Sequence, residues 1–190
     1  GTKNIFEIAN KEKIRVVYAS SSSIYGNTTQ IPIKESFERK PINPYGQTKL
    51  DDEILAEKFE ELSVIGLRYF NVYGIGQNIS YAGVITKFLE QIKNEKPLTI
   101  NGNGSQVRDF IQVKDIAKAN LAAMESNVKK SFLNVGTGIS TSINNLAKMM
   151  IELSNSKNGI IYGPELEGDI ESSQADMGFT KKLINWDHEI

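Results

Sequence analysis

Tyr45 and Lys49 stand four residues apart, downstream of an unbroken run of serines at positions 20–23. Residues four apart share one face of a helix, which would set the phenol beside the amine. A tyrosine hydroxyl has an ordinary pKa of about 10 and is a poor base at neutral pH. A cation within about 4–6 Å favours the charged form of its neighbour, and removal from water strengthens the attraction. A shift of about 3 units needs about 4 kcal/mol, within reach of an ammonium assisted by a second positive group such as an oxidised nicotinamide. A serine hydroxyl beside the pair can share or relay the proton. The chemistry is removal of a proton from an alcohol while hydride leaves the same carbon. Taken singly, each part has an ordinary explanation, an aromatic lying on a core or a hydroxyl-rich loop. Their combination and order point to a site.

The flanking residues supply the elements such a site needs. Residues 14–19 carry β-branched and aromatic side chains and read as a strand that runs into the serines and ends at Gly26. Asn43 suits a helix N-cap and Pro44 the first helical position. Leu50, Ile54, Leu55, Phe59 and Leu62 follow at the spacing of one buried face. Residues 64–70 read as a second buried strand, with Gly66 allowing close packing. A helix of about five turns between two strands implies a parallel pair joined by a crossover. In such sheets ligands bind beyond the carboxyl ends of the strands, which places Ser21, Phe70 and Asn71 beside one crevice.

The remaining elements follow the same rules. Residues 1–13 read as a helix, 73–82 as a polar loop, and 83–94 as a helix with Val84, Ile85, Phe88, Leu89 and Ile92 at helical spacing. Residues 97–100 read as a short strand entering a hairpin at Asn101-Gly102-Asn103-Gly104. Asp115 is expected to cap a helix over 116–124 and Ser142 one over 143–153. Residues 132–135 and 160–162 read as strands and 180–184 as a helix. Gly136-Thr137-Gly138 could cradle a phosphate, but without a third glycine it reads as a plain strand-to-helix connection.

Composition narrows the classes. The chain has 190 residues, 39% hydrophobic and 24% charged, with 22 Lys plus Arg against 23 acidic residues. That balance is that of a globular protein, with no net field to draw nucleic acid or an anionic membrane. Cysteine is absent and the single histidine is His188. Thiol nucleophiles, disulfides and cysteine metal centres are excluded, and no metal site is expected. No signal peptide and no long apolar span is read, so a cytoplasmic location is expected.

Several segments together resemble the extended short-chain dehydrogenase/reductase superfamily, in particular the NAD-dependent nucleotide-sugar epimerases of the UDP-glucose 4-epimerase type. They are residues 17–26, residues 41–49 with Leu50 and Glu53 following, Leu67-Arg68-Tyr69-Phe70-Asn71-Val72-Tyr73-Gly74, residues 107–115, Asn134-Val135-Gly136-Thr137-Gly138, and Gly168-Asp169 with Ala175-Asp176. The resemblance implies an α/β fold: the later part of a doubly wound parallel, Rossmann-type sheet plus a small α/β substrate-binding region. Residues 1–72 would be the C-terminal part of the NAD-binding domain and 73–190 mainly the substrate-binding region, with 107–136 returning to the sheet. It implies Ser21, Tyr45 and Lys49 as catalytic residues and Ser20, Tyr45, Lys49 and Phe70 as neighbours of NAD. Ser21, Ser22, Asn71, Val84, Arg108 and Ser173 would hold a UDP-sugar, with Arg108 on the diphosphate. It also implies a homodimer formed through the Tyr45 helix.

Departures from that pattern matter as much. Neither Gly-x-x-Gly-x-x-Gly nor Gly-x-Gly-x-x-Gly occurs among the fifteen glycines, so these residues lack the expected NAD pyrophosphate cradle. Leu166 stands where the family often has a diphosphate-binding arginine, and Ser173 where a bulky tyrosine can restrict the sugar pocket. Dehydratases and decarboxylases of the superfamily place Asp or Glu just after the catalytic hydroxyl. Here those positions are Ser22 and Ser23, which favours oxidation and re-reduction at the sugar C4. A non-catalytic sugar-nucleotide binding remnant and an NAD(P)-dependent nucleotide-sugar reductase stay as alternatives.

Overall fold

The computed structural model describes residues 1–78, 83–166 and 168–190. Helix α1 (Thr2–Glu12) leads into strand β1 (Val16–Ser21), which passes through a single 3-10 turn (Ser22–Tyr25). Helix α2 (Pro44–Glu57) connects it to β2 (Val64–Tyr69). Strand β3 (Asn71–Tyr73), helix α3 (Val84–Lys93), strand β4 (Leu98–Asn101) and strand β5 (Val107–Gln112) follow. Helix α4 (Val113–Glu125), strands β6 (Lys130–Val135) and β7 (Ser140–Ser142), helix α5 (Ile143–Ser154), strand β8 (Ile160–Gly163) and helix α6 (Gly178–Ile184) complete the order.

Three sheets result among the described residues. β1, β2 and β6 form a parallel sheet in that order, with Val16 opposite Val64 and Val64 opposite Lys130. β5 lies between β3, parallel, and β7, antiparallel, and β4 pairs in parallel with β8. The expected parallel crossover is therefore present, and the fold class is α/β. Of residues 107–136, β6 lies in the first sheet and β5 in the second.

Alternate residues of β2 bury opposite faces of the first sheet. Val64 packs with Phe6, Ala9 and Ala56 of the two helices on one side, while Ile65 and Leu67 join Ile116, Ala119 and Ala123 of α4 on the other. The expectation for Gly66 holds: a Cβ there would approach Phe132 to 2.8 Å and Tyr18 to 2.9 Å. A separate core of Phe88, Leu98, Ile100, Ile143 and Leu146 joins α3, β4 and α5.

Local capping rules held at two helices and failed at a third. Asn43 accepts from the Gly46 amide at 2.8 Å ahead of Pro44, and Ser142 accepts from the Asn145 amide at 3.1 Å. The expected Asp115 cap is corrected: α4 begins earlier, Gln112 accepts from the Lys114 amide, and Asp115 lies buried in the first turn. The hairpin at 101–104 is also corrected. Gly102 and Gly104 do take positive φ, but β4 and β5 enter different sheets. Asn144 bonds both Asn103 and Gly104 carbonyls, which draws the turn onto α5. Part of the expected loop over 73–82 lies outside the described residues.

Candidate active site

Ser21 ends β1 and caps the 3-10 turn. Its hydroxyl accepts from the Ser23 amide at 3.1 Å and donates to the Ser23 hydroxyl at 3.0 Å, so its direction is fixed by the turn that follows it. Tyr45 lies in the first turn of α2 with its ring 56% exposed. Lys49, one turn on, places its ammonium 5.7 Å from the Tyr45 ring centroid and donates to the Ala19 carbonyl at 2.9 Å. The amine thus joins the carboxyl end of β1 to the tyrosine on the helix. A glycine makes this approach possible: a Cβ at Gly46 would lie 2.6 Å from the Ser23 carbonyl oxygen and 3.0 Å from Pro41. The residue beside Tyr45 must be small for the first turn of α2 to lie against the serine turn.

The apolar spacing expected along and just after α2 holds in part: Leu50 and Leu62 are buried, and Leu55 and Phe59 pack half-buried against the core. Gly46, Leu50, Glu53 and Ala56 are buried, while Ile54 is 38% exposed. Glu53 is 0% and Arg68 of β2 3% exposed. Their pairing is bidentate, at 2.9 Å from Nε and 2.7 Å from Nη2. Glu53 also accepts from the Ser20 hydroxyl at 2.6 Å and from Arg39 at 3.2 Å. Arg68 donates to the Tyr25 hydroxyl at 2.7 Å, and Tyr25 in turn to Asn134 at 2.7 Å. Burial works against the Arg68 charge, but the Glu53 hydrogen bonds and nearby negative charge outweigh it and hold the guanidinium above its ordinary pKa. Burial pushes the Tyr25 phenol up to about 12, against the lowering pull of Arg68. Ser20 therefore turns its hydroxyl into this network. Phe70 is 5% exposed and belongs to the main core with Leu67, Ile111 and Val135. Its ring fills the floor beneath the strand ends.

A second group of expected residues gathers in one cavity. Asn71, Val84 and Arg108 line a space of about 460 Å³, together with Lys87, Leu166 and Asp169. Arg108 donates to Asp169 at 2.6 Å and to its neighbour's carbonyl, that of Val107, at 2.9 Å. Ser173 is buried beside β5, its amide bonded to the Val107 carbonyl at 3.1 Å. Ser22 is half-buried on the 3-10 turn.

Gly136-Thr137-Gly138 does form a nest of amides, but the chain fills it. Asp109, fully buried, accepts from the Thr137 amide and hydroxyl at 2.8 Å each, from Gly138 at 2.9 Å and from Ala175 at 3.0 Å. A Cβ at Gly136 would lie 2.7 Å from that carboxylate. The nest is thus a structural joint, and it leads from β6 into the short strand β7, not directly into a helix as its glycine count suggests.

Sequence reasoning passed over Glu53 as a participant, along with Gly46 and Lys87. The signal for Glu53 was its place four residues after Lys49, on the stripe of Tyr45 and Lys49. For Gly46 it was a glycine in the first turns of a helix otherwise free of them.

A model of the NAD dependent epimerase/dehydratase family matches residues 1–136. Among curated proteins, the chain is 37% identical to a putative UDP-glucose 4-epimerase of Methanocaldococcus jannaschii, covering all of this chain (100%) and 63% of that protein. Among solved structures, a UDP-N-acetylglucosamine 4-epimerase from Methanobrevibacter ruminantium, in complex with UDP-N-acetylmuramic acid, superposes with a TM-score of 0.94 at 36% identity, over 99% of this chain and 62% of that one. MoeE5 in complex with UDP-glucose and NAD superposes with a TM-score of 0.91 at 33% identity, over 100% of this chain and 64% of that one. The chain spans about three fifths of the length of the relatives it matches.

Proposed function

Because the chain belongs to the NAD-dependent epimerase/dehydratase family, we propose that it carries the catalytic and substrate-binding part of a nucleotide-sugar 4-epimerase acting on a UDP-hexose or UDP-N-acetylhexosamine. The observation that carries this reading is the meeting of Lys49 with both the Tyr45 ring and the Ala19 carbonyl of β1, two residues before Ser21. The residues present fit the nicotinamide-ribose end of NAD, because an ammonium and an accessible phenol stand together at the carboxyl end of a parallel sheet. They include no cradle for its pyrophosphate, and the one amide nest described is filled by Asp109.

Tyr45 and Lys49 would hold the ribose and nicotinamide. When bound, NAD supplies the hydride acceptor and the donor for its return. Tyr45 takes the proton of the sugar 4-hydroxyl and gives it back once the other face of the sugar is presented. Lys49, beside the ring, stabilises the negative charge that Tyr45 acquires. Ser21, aimed by the Ser23 amide, offers its hydroxyl to the same sugar oxygen and passes the proton. Arg108, Asn71 and Val84 receive the nucleotide, with Asp169 keeping the guanidinium in place. On this reading residues 1–72 with β6 serve the cofactor, and the remainder of 73–190 serves the substrate.

A homodimer through α1 and α2 belongs to the same reading. It is supported by Ile5, Ile8 and Ile54, large apolar side chains left exposed on two helices that pack together. A cytoplasmic setting belongs to it as well; among the described residues no helix is long and apolar enough to cross a membrane.

The test is product NMR on the natural protein containing these residues, supplied with UDP-glucose and UDP-N-acetylglucosamine in turn. The 4-epimer is expected to accumulate, and Tyr45→Phe is expected to slow it by about 10²–10⁴-fold, the usual weight of a general acid-base group. An unchanged rate in Tyr45→Phe would sink the assignment. A second reading, sugar-nucleotide binding without turnover, predicts no product at all.

A further inference from the structure

Charge in the cavity beside Arg108 does not balance in the way a diphosphate requires. Among the described residues, three charged side chains line it: Lys87, Arg108 and Asp169. Arg108 and Asp169 face each other at 2.6 Å and cancel. The position from which another cation could reach in holds Leu166, an apolar side chain in the same wall. Lys87 remains. It lies one turn into α3, directly above Gly83, whose carbonyl accepts from its amide at 3.3 Å. Among the described residues its ammonium makes no ion pair, although nine pairs outside this cavity hold lysines or arginines.

We propose that Lys87 is a diphosphate-binding residue, supplying the net positive charge of this cavity to a nucleoside diphosphate. The proposal rests on the reading of the cavity as a nucleotide-sugar site and names a group that reading did not use. Arg108 has five N–H donors, of which two are spent on Val107 and Asp169. It can still donate to a phosphate oxygen, but its charge is already met by a carboxylate. A diphosphate entering with only that pair would lose its water without gaining a counter-charge. An unpaired ammonium on the adjoining helix supplies it, and a lysine acts on phosphate as a point charge without demanding a fixed fork geometry.

The experiment is calorimetric titration of the natural protein with UDP and, separately, with uridine, for the unaltered chain, Lys87→Met and Lys87→Arg. Lys87 is exposed, so neither variant is expected to shift the melting temperature. The expected result is UDP affinity about 10-fold weaker in Lys87→Met and retained within about 2-fold in Lys87→Arg, with uridine affinity equal in all three. UDP affinity unchanged in Lys87→Met, or a loss of uridine affinity as large as that of UDP, would overturn the assignment to Lys87 while leaving the cavity a nucleotide site. Failure of the unaltered chain to bind UDP would overturn the nucleotide reading itself, and this proposal with it.

Discussion

At the scale of single residues, the burial of Glu53 opposite Arg68 has consequences for both stability and pH response. Removing one partner of a buried ion pair leaves the other charge without compensation and costs about 3–5 kcal/mol. Glu53→Gln is accordingly expected to lower the urea-unfolding free energy by that amount, with Arg68 the stranded charge. The double variant Glu53→Leu/Arg68→Met should recover most of the loss, because no charge is then left in the core. Tyr25 gives the pH signature. Its phenol is neutral when protonated, and the native state holds that proton up to about pH 12, whereas the unfolded chain releases it near 10. Stability from this group is complete below about pH 10 and is lost as pH rises through about 12. Thermal melts across that window should fall less steeply for Tyr25→Phe than for the unaltered chain. A slope left unchanged would mean that Tyr25 ionises alike in both states.

At the scale of elements, α2 decides whether the site exists. Glycine to alanine inside a helix ordinarily stabilises by about 1 kcal/mol. Gly46→Ala is expected to do the reverse, because the added methyl meets the Ser23 carbonyl oxygen at 2.6 Å. The helix must then withdraw from the serine turn, carrying Tyr45 with it. The expected outcome is a lower melting temperature together with a larger loss of turnover per folded molecule. A stabilised, fully active variant would show that the contact does not set the spacing. This helix also shows what a sequence makes legible. Its start was readable because Asn43 and Pro44 act within one turn. Its buried face was readable only in part, because apolar spacing cannot foresee that Glu53 turns inward toward an arginine on another strand while Ile54 turns out. The same distinction separates the Ser142 cap, read correctly, from the hairpin after β4. The true partner of β4 is β8, which lies far along the chain and is invisible to local turn rules. Tyr45, Lys49 and Ser21 could be singled out from order and spacing, and the fold sets Lys49 against both the Tyr45 ring and the Ala19 carbonyl. Lys87 carries no such mark, because a lysine on a helix has no distinguishing neighbours until folding sets it in one cavity with Arg108 and Asp169.

For the whole molecule, the proposed nucleotide-sugar and dinucleotide sites are unevenly represented. The described residues form the cavity lined by Asn71, Lys87 and Arg108, whereas they include no glycine-rich turn for a dinucleotide pyrophosphate. Calorimetry on the 190-residue chain alone should therefore register UDP but little or no NAD. Comparable affinity for both would mean that the pyrophosphate can be held without a glycine-rich turn. Asp109 adds a mechanical consequence. It projects from the middle sheet and gathers backbone from the segment after β6 and from Ala175, so one carboxylate welds three stretches of chain. Swinging one sheet against the other would tear all of these links at once, in a place no water could repair them. Admission of a bulky ligand is then expected to involve side chains at the cavity rim, while this joint keeps the two sheets in one arrangement.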